Sequence, residues 1–168
     1  MPGYGGRSPT EDSWPLPLRE KFELTLYDDE YATCVETYAT LRVFTGDVPP
    51  DRFTEYIGVT PSKTQEFQIR PEGWKSLPAG WFLTSQSEID SRDVRRHIDF
   101  ILDQIDAKTD ALAWIRESGG IADVMCYWVS ASGQGGPSLL PAQSSKLAAL
   151  DLEIWFDVYF DASDDGGD

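Results

Sequence analysis

The chain has 168 residues, an apolar fraction of 40% and a formal net charge of −15, which together indicate one acidic globular domain with a hydrophobic core. Such a charge repels phosphate and therefore argues against binding to nucleic acid or anionic lipid through a basic surface. No segment has the apolar length of a signal-peptide core or a membrane span, so the expected location is the cytoplasm.

The beginning of the chain is predicted to be a flexible arm. Residues 1–20 are rich in glycine and proline, a composition that disfavours regular structure. The alternating pattern of residues 21–27 then predicts an edge strand at the start of the domain. A stronger strand signal follows at 35–44, where β-branched and aromatic residues dominate.

The next elements are predicted to be a short helix and a pair of strands. A helix over 50–57 begins with prolines that suit a first helical turn, and Gly58 suits its left-handed exit. Strands are expected over 64–70 and 81–84. Because a proline- and glycine-rich loop joins them, we expect the two strands to pair in an antiparallel manner.

A long amphipathic helix over 91–105 is the main predicted cover of the sheet. Its apolar residues recur at helical spacing and form one stripe, and Ser91 stands where an N-cap is expected. A second helical piece is predicted over 109–117, and a third helix begins near Pro141. Between them, residues 121–131 have few polar positions, which predicts a central strand covered on both faces.

The closing strand over 152–160 has the clearest alternation in the chain. Trp155, Asp157 and Tyr159 fall on the face that is predicted to meet water. The residues predicted to face the core are Leu152, Ile154, Phe156, Val158 and Phe160. An acidic tail is predicted to follow over 162–168.

These elements predict an α+β fold. It consists of one largely antiparallel sheet of five or six strands, with the helices on one face. The β-α-β-β-α-β portion is similar to a ferredoxin-like split unit, extended by a helix and a strand. The predicted domain spans 21–161, between the arm and the tail.

His97 is the sole histidine, so any histidine-based chemistry has to use it. It lies at the edge of the apolar stripe of the long helix. Two interpretations stay open: a border histidine that completes the core with a hydrogen bond, or part of a small-ligand or catalytic pocket that also contains Trp81.

Cys34 and Cys126 lie in strand-like runs, which favours free buried thiols. Two cysteines and one histidine do not provide a zinc-binding spacing, and we assign no catalytic residue, metal or cofactor.

The negative charge is concentrated at the end of the chain, where residues 151–168 hold seven acidic residues and no basic one. The water-facing side of the closing strand brings together Trp155, Asp157 and Tyr159, and Asp161 follows directly. Aromatic rings among carboxylates are good anchors for a cationic protein. The acidity is equally expected of a protein that only needs to stay soluble.

Several short motifs carry a family resemblance when they are taken in chain order over 36–161. The motifs are Tyr38–Asp47, Ile57–Pro61, Gly80-Trp81, a helix with His97, Ser138–Ala142 and Phe156–Phe160. Their succession resembles the bacterial domain-of-unknown-function family 4279. The resemblance implies a small intracellular α+β domain and no assigned reaction.

Three functional hypotheses follow. The first is a non-enzymatic cytoplasmic binding protein, such as an immunity-type factor that neutralises a basic toxin domain. The second is an enzyme or small-ligand binder with a pocket near Trp81 and His97. The third is an acidic housekeeping domain without an exposed binding surface. The sequence does not determine the oligomeric state, because a free sheet edge would allow pairing between copies.

Overall fold

The computed structural model describes residues 27–160, which form five strands and four helices. In chain order the elements are β1 (Cys34–Phe44), α1 (Pro50–Ile57), β2 (Lys63–Gln65), β3 (Gly80–Thr84), α2 (Val94–Ile105), α3 (Thr109–Glu117), β4 (Ile121–Ser130), α4 (Pro141–Ala149) and β5 (Glu153–Phe160). The predicted arm over 1–20, the predicted tail over 162–168 and nearly all of the predicted strand over 21–27 lie outside the described residues. Tyr27 itself is not in a strand.

The five strands form one sheet with the order β2-β3-β1-β4-β5. The first four strands pair in an antiparallel manner, and β5 lies parallel to β4. The order β2-β3-β1-β4, with helices after β1 and β3, is that of a ferredoxin-like β-α-β-β-α-β unit. Helix α4 and strand β5 extend this unit at one edge, so the predicted α+β fold is confirmed.

The core lies between the sheet and the helices. Ile98, Ile101 and Leu102 form a fully buried stripe on α2. Trp81 and Trp128 meet this layer from the sheet side and are also enclosed. Each such side chain contributes roughly 1.5–3 kcal/mol by leaving water, so this interface provides most of the driving force for folding.

The second strand is much shorter than the predicted strand over 64–70. Only Lys63–Gln65 pairs with β3, and beyond it a single bridge joins Gln68 to Leu77. Phe67 and Ile69, the apolar residues of the predicted strand, are exposed. The prediction was wrong because alternation alone does not provide a partner strand, and this hairpin extends past the end of the sheet.

The N-cap of helix α2 lies two residues later than the sequence predicted, and the helix itself begins at Val94. Asp93, rather than Ser91, is the N-cap, and its carboxylate accepts a hydrogen bond from the backbone N–H of Arg95 at 3.0 Å. Ser91 supports this cap, since its hydroxyl oxygen accepts from the backbone N–H of Asp93 at 3.0 Å. Both residue types cap helices well, so composition could not choose between them.

Two predictions about burial were also wrong. Strand β4 was predicted to be covered on both faces. It is central, but only the face with Val124, Cys126, Trp128 and Ser130 is buried, and Tyr127 on the other face is half-buried. On β5, Phe156 packs against the core, yet Val158 is 44% exposed and Phe160 is 67% exposed. Both errors have one cause: the helices cover one face of the sheet and, on β5, only the first half of the strand.

Candidate functional site

The face of the sheet that points away from the four helices is called the open face. The register of β1, β4 and β5 determines which side chains lie on it. Its central side chains are Tyr38, Arg42, Asp123, Met125, Tyr127, Trp155, Asp157 and Tyr159. Three neighbouring strands therefore contribute to one surface.

A row of stacked tyrosines crosses the open face; Tyr38, Tyr127 and Tyr159 are called the tyrosine row. The rings of Tyr38 and Tyr127 stack with 4.8 Å between centroids and an interplanar angle of 19°. Tyr127 and Tyr159 follow at 5.2 Å with a tilt of 39°. Stacking holds the rings in place, and Tyr159 at the end of the row is 48% exposed.

Carboxylates border the tyrosine row. The hydroxyl of Tyr159 donates to Oδ2 of Asp157 at 3.0 Å, and this hydrogen bond raises the pKa of Tyr159. Burial raises the pKa of Tyr38, and the charges of Glu36 and Asp157 raise it further. Neither Glu36 nor Asp157 takes part in an ion pair within residues 27–160. The electrostatic potential around the row is therefore negative.

Trp155 is held by a cation from the same chain. The guanidinium of Arg42 binds Asp123 through two hydrogen bonds of 2.8 and 2.7 Å. The same guanidinium lies 4.6 Å from the centroid of the Trp155 ring and 5.6 Å from that of Phe44. One face of the Trp155 ring is thus already occupied by a cation. The exposed aromatic group of this surface is Tyr159.

The structure brings together three of the four predicted contact residues. Trp155, Asp157 and Tyr159 share the open face, while Asp161 lies outside the described residues. Sequence reasoning missed Tyr38 and Tyr127, which complete the row. Both tyrosines alternate with core residues along their strands, and this pattern could have predicted that they face away from the core. Only the register of the sheet places them in one row with Tyr159.

The predicted pocket residues Trp81 and His97 are both buried in the core. Trp81 is fully buried, and its indole N–H donates to Oγ1 of Thr54 at 3.0 Å. His97 is 1% exposed. A catalytic or ligand-binding role would require a partly exposed His97, so its burial gives the pocket hypothesis no support.

Both ring nitrogens of His97 have partners. Nε2 donates to the backbone oxygen of Ser91 at 2.9 Å, since a carbonyl can only accept. Nδ1 then accepts from the hydroxyl of Ser85 at 2.8 Å. Burial lowers the pKa of His97. The residue is therefore a neutral histidine that links the sheet to the start of α2, which matches the interpretation of a border histidine.

The two cysteines are free and buried. Burial raises the pKa of the Cys126 thiol to about 12, so it does not form a thiolate near neutral pH. Within residues 27–160, no group of three or more His, Cys, Asp or Glu side chains is arranged to hold a metal ion. None of the helices in that range is long and apolar enough to cross a bilayer.

Comparison with known proteins gives one match. The family model described as "Domain of unknown function (DUF4279)" matches residues 35–161. No curated protein and no solved structure matches the chain. The matched segment begins at the second residue of β1, continues beyond the end of β5 and so includes all four helices and the sheet except Cys34. Since this match covers well over half of the sequence, the chain belongs to the DUF4279 family.

Proposed function

We propose that this protein is a non-enzymatic cytoplasmic binding protein whose open face binds a cationic surface of another protein. The observation that carries the proposal is the end of the tyrosine row, where the exposed ring of Tyr159 lies beside Asp157. Asp157 is in no ion pair within residues 27–160. An aromatic ring next to a carboxylate without a cation favours lysine or arginine as its ligand.

The arrangement of the open face suits a protein partner. Tyrosine is enriched among the residues that dominate binding energy at interfaces, because it buries a large area with little loss of side-chain entropy. The sheet holds the three rings rigidly, so little ordering is needed on binding. A basic toxin domain that this protein neutralises, as an immunity-type factor, is a partner of this chemistry.

The negative charge of the chain supports the approach of such a partner. A net charge of −15 attracts a cationic protein over distances of a Debye length and increases the association rate at low salt. It does not select a binding surface, because any polycation is attracted to an acidic protein. The test therefore has to separate contact at the open face from general attraction.

The experiment is a titration with a decapeptide of alternating arginine and glycine, followed by calorimetry at roughly physiological salt, about 0.15 M. The variants are Asp157→Asn and, as the matched control, Glu117→Gln on the exposed end of α3. Both remove one negative charge. We expect Asp157→Asn to weaken binding about five- to tenfold, as the loss of a charge-assisted contact does, and Glu117→Gln to change it less than about twofold.

A second variant tests the aromatic component. Tyr159→Leu keeps an apolar side chain but removes the ring, and we expect a loss of about two- to fivefold from the missing cation–π contact. If Asp157→Asn and Glu117→Gln weaken binding equally and Tyr159→Leu has no effect, the open face is not the binding surface. The acidity then serves solubility alone.

A further inference from the structure

Among residues 27–160, no strand lies next to the first half of β1 on the β3 side. Pairing between β1 and β3 starts at Thr40 and continues toward Phe44. The last contacts on this side are made by Ser85, whose backbone N–H donates to the oxygen of Ala39 at 2.9 Å. The hydroxyl of Ser85 accepts from the N–H of Ala39, also at 2.9 Å. Beyond Ser85 the chain turns away from the sheet.

Within the described part of the chain, this departure leaves the backbone of Thr37 without a hydrogen-bond partner on that side. In an antiparallel sheet the backbone groups of successive residues point to opposite sides of the strand. Ala39 points toward β3, so Thr37, two residues earlier, points the same way. No described residue bonds to the N–H or C=O of Thr37 on that side. Its hydroxyl is satisfied, since it donates to the backbone oxygen of Tyr127 at 2.7 Å.

A cleft of about 360 Å³ lies along this free edge and is called the β1 cleft. One wall is the start of β1, from Val35 to Tyr38, and the other is the segment that leads into α2, including Ile89 and Asp90. The volume is at the low end for ligand sites, so the cleft fits a few residues of extended chain and not a folded surface.

The charges in the β1 cleft favour a cation. Arg92 lines the cleft but forms an ion pair with Glu30, which also lines it. Glu36 and Asp90 are exposed and belong to none of the ion pairs within residues 27–160. Two carboxylates of the cleft therefore remain without a counter-charge among the described residues. Val35, which is exposed, adds an apolar surface between them.

We propose that the β1 cleft binds an extended cationic peptide segment, which adds to the free edge of β1 as a short strand at Thr37. The backbone of the peptide exchanges hydrogen bonds with Thr37, and its basic side chains meet Glu36 and Asp90. A second copy of this chain would bring like charge to the cleft, so the partner is a different protein.

The inference rests on the proposed function because it takes the partner to be cationic, and it adds how the backbone of that partner is recognised. Tyr38 lines the β1 cleft and begins the tyrosine row. The two surfaces are thus continuous, and one basic partner can occupy both, with an extended segment in the cleft and a side chain at Tyr159.

The probe is an octapeptide of alternating lysine and valine with blocked ends, a composition that favours extended structure. Its control has the same sequence with N-methyl groups on alternate backbone nitrogens, which keeps the charge but removes the donors needed for a ladder. We expect the methylated peptide to bind at least about tenfold more weakly. Hydrogen exchange followed by NMR should show at least about tenfold slower exchange of the Thr37 amide when the unmodified peptide is bound.

Side-chain recognition is tested with Asp90→Asn, which changes the β1 cleft but not the open face. We expect this variant to weaken binding of the lysine–valine peptide about threefold or more, with less than a twofold change for the matched control Glu117→Gln. Both positions are exposed, so circular dichroism should show the same fold for each variant.

Each outcome separates the two proposals. Equal affinity for both lysine–valine peptides, or an unchanged Thr37 amide, overturns strand addition but leaves the proposed function if Asp157→Asn still weakens binding of the arginine–glycine peptide. If the two lysine–valine peptides bind equally and Asp157→Asn weakens binding no more than Glu117→Gln does, both proposals are overturned.

Discussion

Both faces of the sheet carry aromatic residues but use them differently. On the helix-covered face, Trp81 and Trp128 belong to the hydrophobic core and are among the largest buried residues. On the open face, Trp155 and Tyr159 remain in contact with water and are held by neighbouring side chains of the same surface. Aromatic content alone thus does not identify a binding surface; the presence or absence of a covering layer does.

Polar groups also differ between the faces. On the covered side, the indole of Trp81 and the ring of His97 have partners that fit the dry interior, namely Thr54 and Ser85. On the open side, Asp157 has no cationic partner within residues 27–160, and water solvates it. A buried carboxylate in this state would cost several kcal/mol, so only the open face can keep such groups for a partner.

The largest expected effect comes from truncating one tryptophan on each face. Trp128→Ala should lower the free energy of unfolding by about 3–5 kcal/mol, because it leaves a cavity in the core. Trp155→Ala should lower it by about 1 kcal/mol, since the ring is half-buried and loses mainly its contact with Arg42. Urea denaturation followed by circular dichroism measures both, and equal losses would contradict the difference between the faces.

A smaller effect is expected for the ion pair that organises the open face. Arg42→Met should lower the free energy of unfolding by about 1–2 kcal/mol, because Asp123 loses a bidentate partner at a partly shielded site. The matched control is Arg52→Met, whose pair with Glu55 is mostly exposed and should contribute less than about 0.5 kcal/mol. If the two substitutions cost the same in urea denaturation, the Arg42 cluster is not a stabilising unit.

The smallest effect is the pH dependence of the free energy of unfolding that comes from His97 on the covered face. Burial lowers the pKa of His97 in the folded protein, so the unfolded chain takes up a proton first as the pH falls below about 6.5. The stability that depends on neutral His97 is therefore complete above that pH and is lost as the pH falls toward the lower folded pKa. The slope is at most about 1.4 kcal/mol per pH unit.

The measurement for His97 is the free energy of unfolding of the wild type and of His97→Gln from about pH 7.5 to 5.5. Carboxylates titrate in both proteins, so the difference between the two curves gives the contribution of His97 to the pH dependence of stability. We expect the wild type to lose more stability than the variant over this range. Parallel curves would mean that His97 is not held in its neutral form.

Local patterns predicted the elements well where a strand or helix is regular. Alternation located β1 and β5, and helical spacing located the buried stripe of α2. The exact start of α2 was less predictable, because Ser91 and Asp93 both suit an N-cap and the choice depends on where the chain leaves the sheet. The predicted strand over 64–70 was mostly wrong because no partner extends far enough to pair with it.

The candidate site was only partly predictable from the chain. The alternation of β5 placed Trp155, Asp157 and Tyr159 on one face, and the structure confirms that they share it. Nothing in that strand indicates that Arg42 covers one side of the Trp155 ring, or that Tyr127 lies next to Tyr159. Those contacts join residues on different strands, so they depend on the strand order and register.

The sequence by itself determined which residues share a face of each element, because the periods of helices and strands are properties of the local backbone. It also determined the sign of the charge and its concentration near the end of the chain. Only the tertiary structure decided which faces are covered, since cover comes from elements that are distant along the chain. For this reason His97 proved to be enclosed and Val158 proved to be exposed, and the edge of β1 at Thr37 has no partner strand within residues 27–160.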